Sequence, residues 1–259
     1  MRPDIGDILD DWPYEPGQVT ARRIRGRDGK DKIQLRLDLG LLQMEATGRP
    51  DGLRPHGVES LLDYYEHSLE QYRIEHGGDE GFELDSQACE LLRAEGVMYY
   101  HRYLAEYVLE DFDAVEGDTL RNLRLMEFCL HYAKEPVDKY VLEQYRPYVL
   151  MMCARARSRR ALRDNDLRAA FSAVRRGMRE IQGLRGFGRE DAYDGSSEIA
   201  ILEAMAKDIE SQMPVDPIRK LRQALAEAVR QEKYEEAAAL RDRISHAVAE
   251  KRAREVRPT

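Results

Sequence analysis

Polar and apolar residues first alternate with a period of two, then repeat every three to four positions for most of the chain. Val19 to Arg25 has the composition of a short strand, and Asp28-Gly29 behind it supplies hairpin turn chemistry. Ile33, Leu35, Leu37 and Leu39 alternate with Gln34, Arg36 and Asp38, which predicts a strand with one buried and one solvated face. Leu41 to Ala46 predicts a third strand, or a continuation past Gly40. So small a sheet is marginal alone and needs a cover. Ahead of it, Trp12 and Tyr14 lie in an irregular lead-in with Pro13, Pro16 and Gly17, and are expected to pack as an anchor.

After the stiff loop Gly48 to Gly57 the period lengthens. Apolar positions 58, 61, 62, 65, 69 and 72 predict a helix from Val58 to about His76, stopped by Gly77-Gly78. A second helix starts near Asp85 or Ser86 and carries Leu91, Leu92, Tyr99, Tyr103 and Leu109. A third is predicted from Asp118 or Thr119 through Leu130, and further segments run from Pro136 to about Arg163 and from Leu167 to Gln182. Gly183 to Gly195 is a glycine-rich loop, and Ser196-Ser197 cap a helix through Ile209. Leu109 to Val115 and Leu162 to Ala170 echo one another as turns between antiparallel helices, and Asp166, Ala170 and Gly177 make the second TPR-like. The two turns lie some 55 residues apart, unlike a tandem array, and an ordinary helical bundle is the simpler reading.

Composition narrows the class. Apolar residues make up 42 % and charged residues 35 % of 259, as in a soluble, helix-rich protein of one large or two smaller domains. No apolar run reaches the roughly 20 residues of a membrane span, and the acidic N-terminus lacks the apolar core of a secretory signal, so a cytoplasmic location is expected. Cys89, Cys129 and Cys153 are scattered within helical patterns and read as reduced core thiols.

The net charge of −8 hides a segregation. Glu59 to Glu143 holds 21 acids against 7 bases, whereas Cys153 to Arg189 holds 11 arginines against 3 acids. Two arginine sets follow. Arg22, Arg23 and Arg25 adjoin the loop carrying Arg49, Arg54 and His56. Arg155, Arg159 and Arg163 stripe one helix, with Arg175, Arg176 and Arg179 on the next. Each set either pairs with the acidic helices or faces an anion such as nucleic acid.

Dedicated chemistry is hard to find. There is no phosphate-binding loop and no zinc helix, and the nearest histidines on one helix, His67 and His76, are nine residues apart. No metal or cofactor is expected. Asp79, Glu80, Glu83 and Asp85 read as a solvated acidic loop before a helix, with a divalent-ion site as the sharper alternative. The many tyrosines at helical spacing read as core rings with hydroxyls at its edge. An enzyme requires a deep pocket gathering Arg49, His56 or the acidic cluster.

The last segment speaks most specifically. Leu221, Leu225 and Ala228 line one face of a helix; Tyr234, Ala237, Ala238, Leu240 and Ile244 line the next, across the turn Gln231-Glu232-Lys233. With Glu235-Glu236 and Arg241-Asp242, this run resembles the UVR motif, the helical hairpin of the excision-repair subunits UvrB and UvrC. The motif also occurs in some Clp-type chaperone subunits and kinase activators. The resemblance implies protein–protein contact through those residues and Arg241, with itself or a second UVR hairpin, and a homodimer. It carries over none of the helicase or nuclease residues of the repair enzymes, nor the zinc-binding cysteine pairs of the kinase activators.

The expected architecture is therefore mainly α with a small N-terminal antiparallel sheet (α+β). Residues 1–57 form the sheet and loop, 58–213 a helical body, and 214–259 the hairpin. The expected function is that of an adaptor in a bacterial cytoplasm, linked to DNA repair or Clp-type quality control. A nucleic-acid accessory protein is the rival reading and an enzyme the third.

Overall fold

The computed structural model describes residues 5–184, 196–213 and 217–255. A short helix α1 (Gly6–Asp10) precedes a three-stranded antiparallel sheet of β1 (Ala21–Arg25), β2 (Asp31–Arg36) and β3 (Leu41–Glu45), in the order β1-β2-β3. Helices follow: α2 (Leu61–His76), α3 (Ser86–Val108), α4 (Phe112–Tyr132), α5 (Pro136–Tyr140), α6 (Arg146–Arg163), α7 (Leu167–Gln182) and α8 (Ser197–Gln212), then α9 (Pro217–Arg230) and α10 (Tyr234–Glu255). By their contacts the residues divide into two compact units, Met1–Glu210 and Ser211–Thr259. The protein is mostly helical with a small N-terminal sheet, as the periodicity predicts.

The sheet departs from expectation twice: β2 ends at Arg36, leaving Leu37 and Leu39 exposed, and its second face is buried. β2 pairs Arg23↔Ile33 on one side and Ile33↔Met44 on the other, so it is the central strand. Ile33 and Leu35 face a core with Met44 and with Ala105 of α3. The opposite face, expected to be solvated, is buried as well: Lys32, Gln34 and Arg36 are each less than a tenth exposed. Their neighbours account for this. Gln34 accepts from Arg22 Nε at 2.7 Å and donates to Gln43 at 2.9 Å, while Lys32 binds Asp28 and Glu45. Arg36 donates to the Trp12 carbonyl, and Arg22 lies 4.4 Å from the Trp12 ring centroid. The lead-in thus anchors through Trp12, while Tyr14, expected to pack with it, is exposed; it closes over long side chains that bury their own stems.

The third helix also starts earlier than predicted. Asp111 accepts from the Ala114 amide, and α4 begins at Phe112 rather than near Asp118. Leu109 to Val115 reads as the turn, but the Asp111 cap closes it sooner. The α3–α4 and α6–α7 corners share one geometry. Glu110 and Asn165 adopt left-handed φ values of 59° and 58°, and the next amide reaches back to the helix, Asp111 N to Glu106 O and Asp166 N to Ala161 O. These are Schellman-type terminations followed by an aspartate cap. The echo between the two turns is therefore structural.

Leu62, Leu92, Leu125 and Cys129 centre the core of α2, α3 and α4. All three cysteines are free and buried. Two ion networks are buried beside this core. Arg102 holds Asp118 through Nε and Nη2 at 2.8 and 2.7 Å, and its Nη1 donates to the carbonyls of Gly48 and Glu45. Glu95, fully enclosed, accepts from the first amides of α2, Leu61 N at 2.8 Å and Leu62 N at 3.2 Å, and binds Arg121 and Arg49. A carboxylate at a helix N-terminus meets both free amides and the positive end of the dipole. Together these networks fasten the sheet and the loop behind it to the helices.

Helices α6 and α7 approach through small residues. A Cβ at Gly177 would sit 2.4 Å from the Ala154 Cβ, and Leu202 of α8 lies 3.5 Å from the same point. Gly177→Ala is expected to lower stability by about 1–3 kcal/mol through overpacking. A drop in the urea midpoint at unchanged slope checks this, and an unchanged midpoint contradicts so close an approach.

Candidate functional site: the C-terminal helical hairpin

Pro217 opens α9, where its missing N–H costs nothing. Leu221, Leu225 and Ala228 recur at helical spacing and meet Ala237 and Leu240 of α10. The corner repeats the turn geometry of the body: Glu232 has φ 56°, and the Lys233 amide bonds the Ala228 carbonyl at 2.9 Å. Glu227 closes the end of α9 by binding Arg230 and accepting from Gln231 Nε2 at 2.6 Å.

Of the residues predicted to bind a partner, Ala228, Ala237 and Leu240 form the hairpin's own seam. Leu221, Leu225 and Ile244 are half-buried at its edge, while Ala238 and Arg241 are exposed. Tyr234 is 69 % exposed, and Val229 at the other side of the turn is 52 % exposed. Helical spacing signals Val229 too, four residues after Leu225 and eight after Leu221.

The energetics of this unit are one-sided. A fully buried leucine contributes about 1.5–3 kcal/mol, whereas ordering each residue costs about 1–2 kcal/mol of backbone entropy. Among the residues whose side chains are described, the seam buries only two alanines and one leucine. A helical pair with so small a core gains from covering its remaining apolar edge. Its chemistry is that of a contact surface: half-buried aliphatics, one large exposed phenol, and charged residues around them.

The arginine sets sit elsewhere and are mostly engaged. Arg22 and Arg25 bind Gln34 and Asp31, Arg23 pairs with Asp111 at 2.7 Å, and Arg49 lies against Glu95 at 3.2 Å. Arg54 is exposed, and His56 stacks on Tyr64 at 4.0 Å between centroids. On α6, Arg155 covers the Tyr107 ring at 4.4 Å and Arg163 approaches Asp113 at 3.5 Å. Arg157 and Arg160 take Glu116 and Asp113, so basic α6 pairs with acidic α4 within the fold. Arg176 pairs with Glu180, whereas Arg159, Arg175 and Arg179 are exposed.

The acidic cluster is dispersed among separate partners. Asp79 binds Arg73 and the Tyr132 hydroxyl, both at 2.8 Å, and these bonds hold its carboxyl below the usual range. Glu83 faces Lys134, and Asp85 caps α3 through the Ala88 amide. Among the described residues, no three His, Cys, Asp or Glu side chains gather as a metal site. None of the described helices is long and apolar enough to cross a membrane. Tyr99 and Tyr103 lie in the core, where burial raises both hydroxyl pKa values, Tyr99 to about 12.

Residues 216–248 match the family model of the UvrB/uvrC motif, which covers the hairpin and leaves the body outside it. No curated protein and no solved structure shows significant similarity to the chain.

Proposed function

We propose that the chain is an association protein whose C-terminal hairpin attaches the sheet and helical body to a second protein. One observation carries this reading: the hairpin is a compact unit of its own, with a small buried seam and with Val229 and Tyr234 exposed beside its turn. The motif match supports protein interaction as its role, with a link to DNA repair or to Clp-type quality control. The partner in this proposal is a second copy of the chain, giving a homodimer, or another UVR-bearing protein in a bacterial cytoplasm. Residues 1–57 and 58–213 are then the cargo that the hairpin brings to its partner, with no catalytic step assigned to them.

Removing residues 214–259 is expected to abolish both self-association and capture of a UVR-bearing partner by the immobilised protein. The truncated body is expected to keep cooperative thermal unfolding. A folded, truncated chain that still dimerises or captures the same partner rejects the proposal.

A further inference from the structure

We propose that the outward ridge of α7, formed by Arg168, Arg175 and Arg179, is a docking surface for an acidic polypeptide segment. The three lie opposite the buried face of the helix, Ala170, Val174, Gly177 and Ile181, and all three are exposed. Positions seven and four residues apart stack along one line, here about 16 Å long at 1.5 Å per residue.

What separates this ridge from an ordinary solvated face is the lack of compensating charge. Arg157, Arg160 and Arg163 of α6 find acids on α4, while Arg155 covers the Tyr107 ring. On α7 the one acid is Glu180, which Arg176 holds at 2.8 Å, and among the described residues Arg168, Arg175 and Arg179 have no acid partner. Arg179, in the last turn, complements the helix dipole, but the placement of the set is otherwise unfavourable. Arg168 sits in the first turn, at the positive end of the dipole, and Arg175 and Arg179 are like charges four apart. Interleaved glutamates solvate a helix face without either penalty. An uncompensated cationic line that the fold does not use is accounted for by an anion brought from outside.

Guanidinium groups hold carboxylates bidentately, and carboxylates repeating along a helix or strand match the line. Base stacking has no platform here: Phe171, the one aromatic residue of α7, is half-buried. An acidic polypeptide therefore fits better than a nucleic acid. This surface lies in the body and does not depend on the hairpin's role.

The test uses the full chain and two fluorescent probes, a twenty-residue polyglutamate peptide and a single-stranded oligothymidylate, followed by anisotropy at rising salt. Wild type is expected to bind the peptide more tightly than the oligonucleotide, with affinity falling as salt screens the contact. Arg175→Gln/Arg179→Gln is expected to weaken peptide binding about tenfold or more. Its melting temperature is expected to equal or exceed the wild-type value, because the like-charge pair is gone. No peptide binding by wild type, tighter oligonucleotide binding, or undiminished binding by the double variant overturns the proposal.

Discussion

Arg102→Ala is expected to destabilise the body by about 3–5 kcal/mol, the usual consequence of stripping one partner from a buried ion pair. Arg102 and Asp118 are each less than a tenth exposed and meet in a bidentate contact. Three separate groups lose their partner at once: the Asp118 carboxylate, the Gly48 carbonyl and the Glu45 carbonyl. Arg102→Lys is expected to recover only part of the loss, since an ammonium cannot supply the planar fork that spans α4 and the end of β3. Urea unfolding at neutral pH measures both. A loss below about 1 kcal/mol for Arg102→Ala, the range of a surface pair, contradicts the network described.

The same site is expected to make the body less stable as pH rises from about 5 to 8. Glu106 is almost fully enclosed and burial pushes its carboxyl up to about 8, with the Asp118 charge adding to the effect. Burial raises Asp118 as well. A carboxyl whose folded pKa lies above its unfolded value near 4.5 binds its proton in the folded state when the unfolded chain has released it. That contribution is complete below the unfolded value and is lost as pH climbs to the folded one. Asp28, Asp79 and Asp113, held low by Lys32, Arg73 and Arg160, act the other way, but only in acid as they protonate. Between pH 5 and 8 Glu106 contributes a fall on the order of a few kcal/mol, opposed in the same range by His101, whose imidazole pKa is held below its usual value by burial. Glu106→Gln keeps the shape and removes the titration. Melting temperatures across that range are expected to fall for wild type and to stay level or rise for the variant. A wild-type profile with the same slope as the variant's contradicts the enclosure of Glu106.

These two effects mark where periodicity stops being informative. Glu95, Arg102 and Glu106 stand seven and four residues apart on α3, and by pattern they form a solvated polar face. In the structure that face is turned inward against the loop behind β3 and against α4. Pairing across distant segments decided it, and one-dimensional spacing carries no trace of such partners. Lys32, Gln34 and Arg36 make the same point in the sheet, where the central position of β2 and the cover by Trp12 bury residues that alternate as though exposed. By contrast, local chemistry was legible. Asp85 and Asp166 cap helices, Gly29 closes the first hairpin with φ 73°, and Gly77 ends α2 at φ 78°. Each of these depends only on residues a few positions away. The start of α4 is the exception: Leu109 to Val115 reads as a turn up to a cap at Asp118 or Thr119, whereas Asp111 already caps the helix.

The hairpin was legible for the same reason, being local from Leu221 to Ile244. What the sequence alone did not separate was seam from surface. Ala228, Ala237 and Leu240 hold the two helices together, whereas Val229 and Tyr234 face outward. Substituting the seam tests whether the hairpin folds, and substituting the exposed pair tests whether it attaches. The direct measurement is sedimentation of the full chain over a range of concentrations, with and without a UVR-bearing partner, for wild type and Val229→Asp/Tyr234→Asp. Wild type is expected to form a dimer or a complex with the partner, and the double variant to remain a folded, unassociated chain. A wild-type chain that stays monomeric and binds no UVR-bearing protein, or a double variant that associates as wild type does, contradicts attachment through the hairpin.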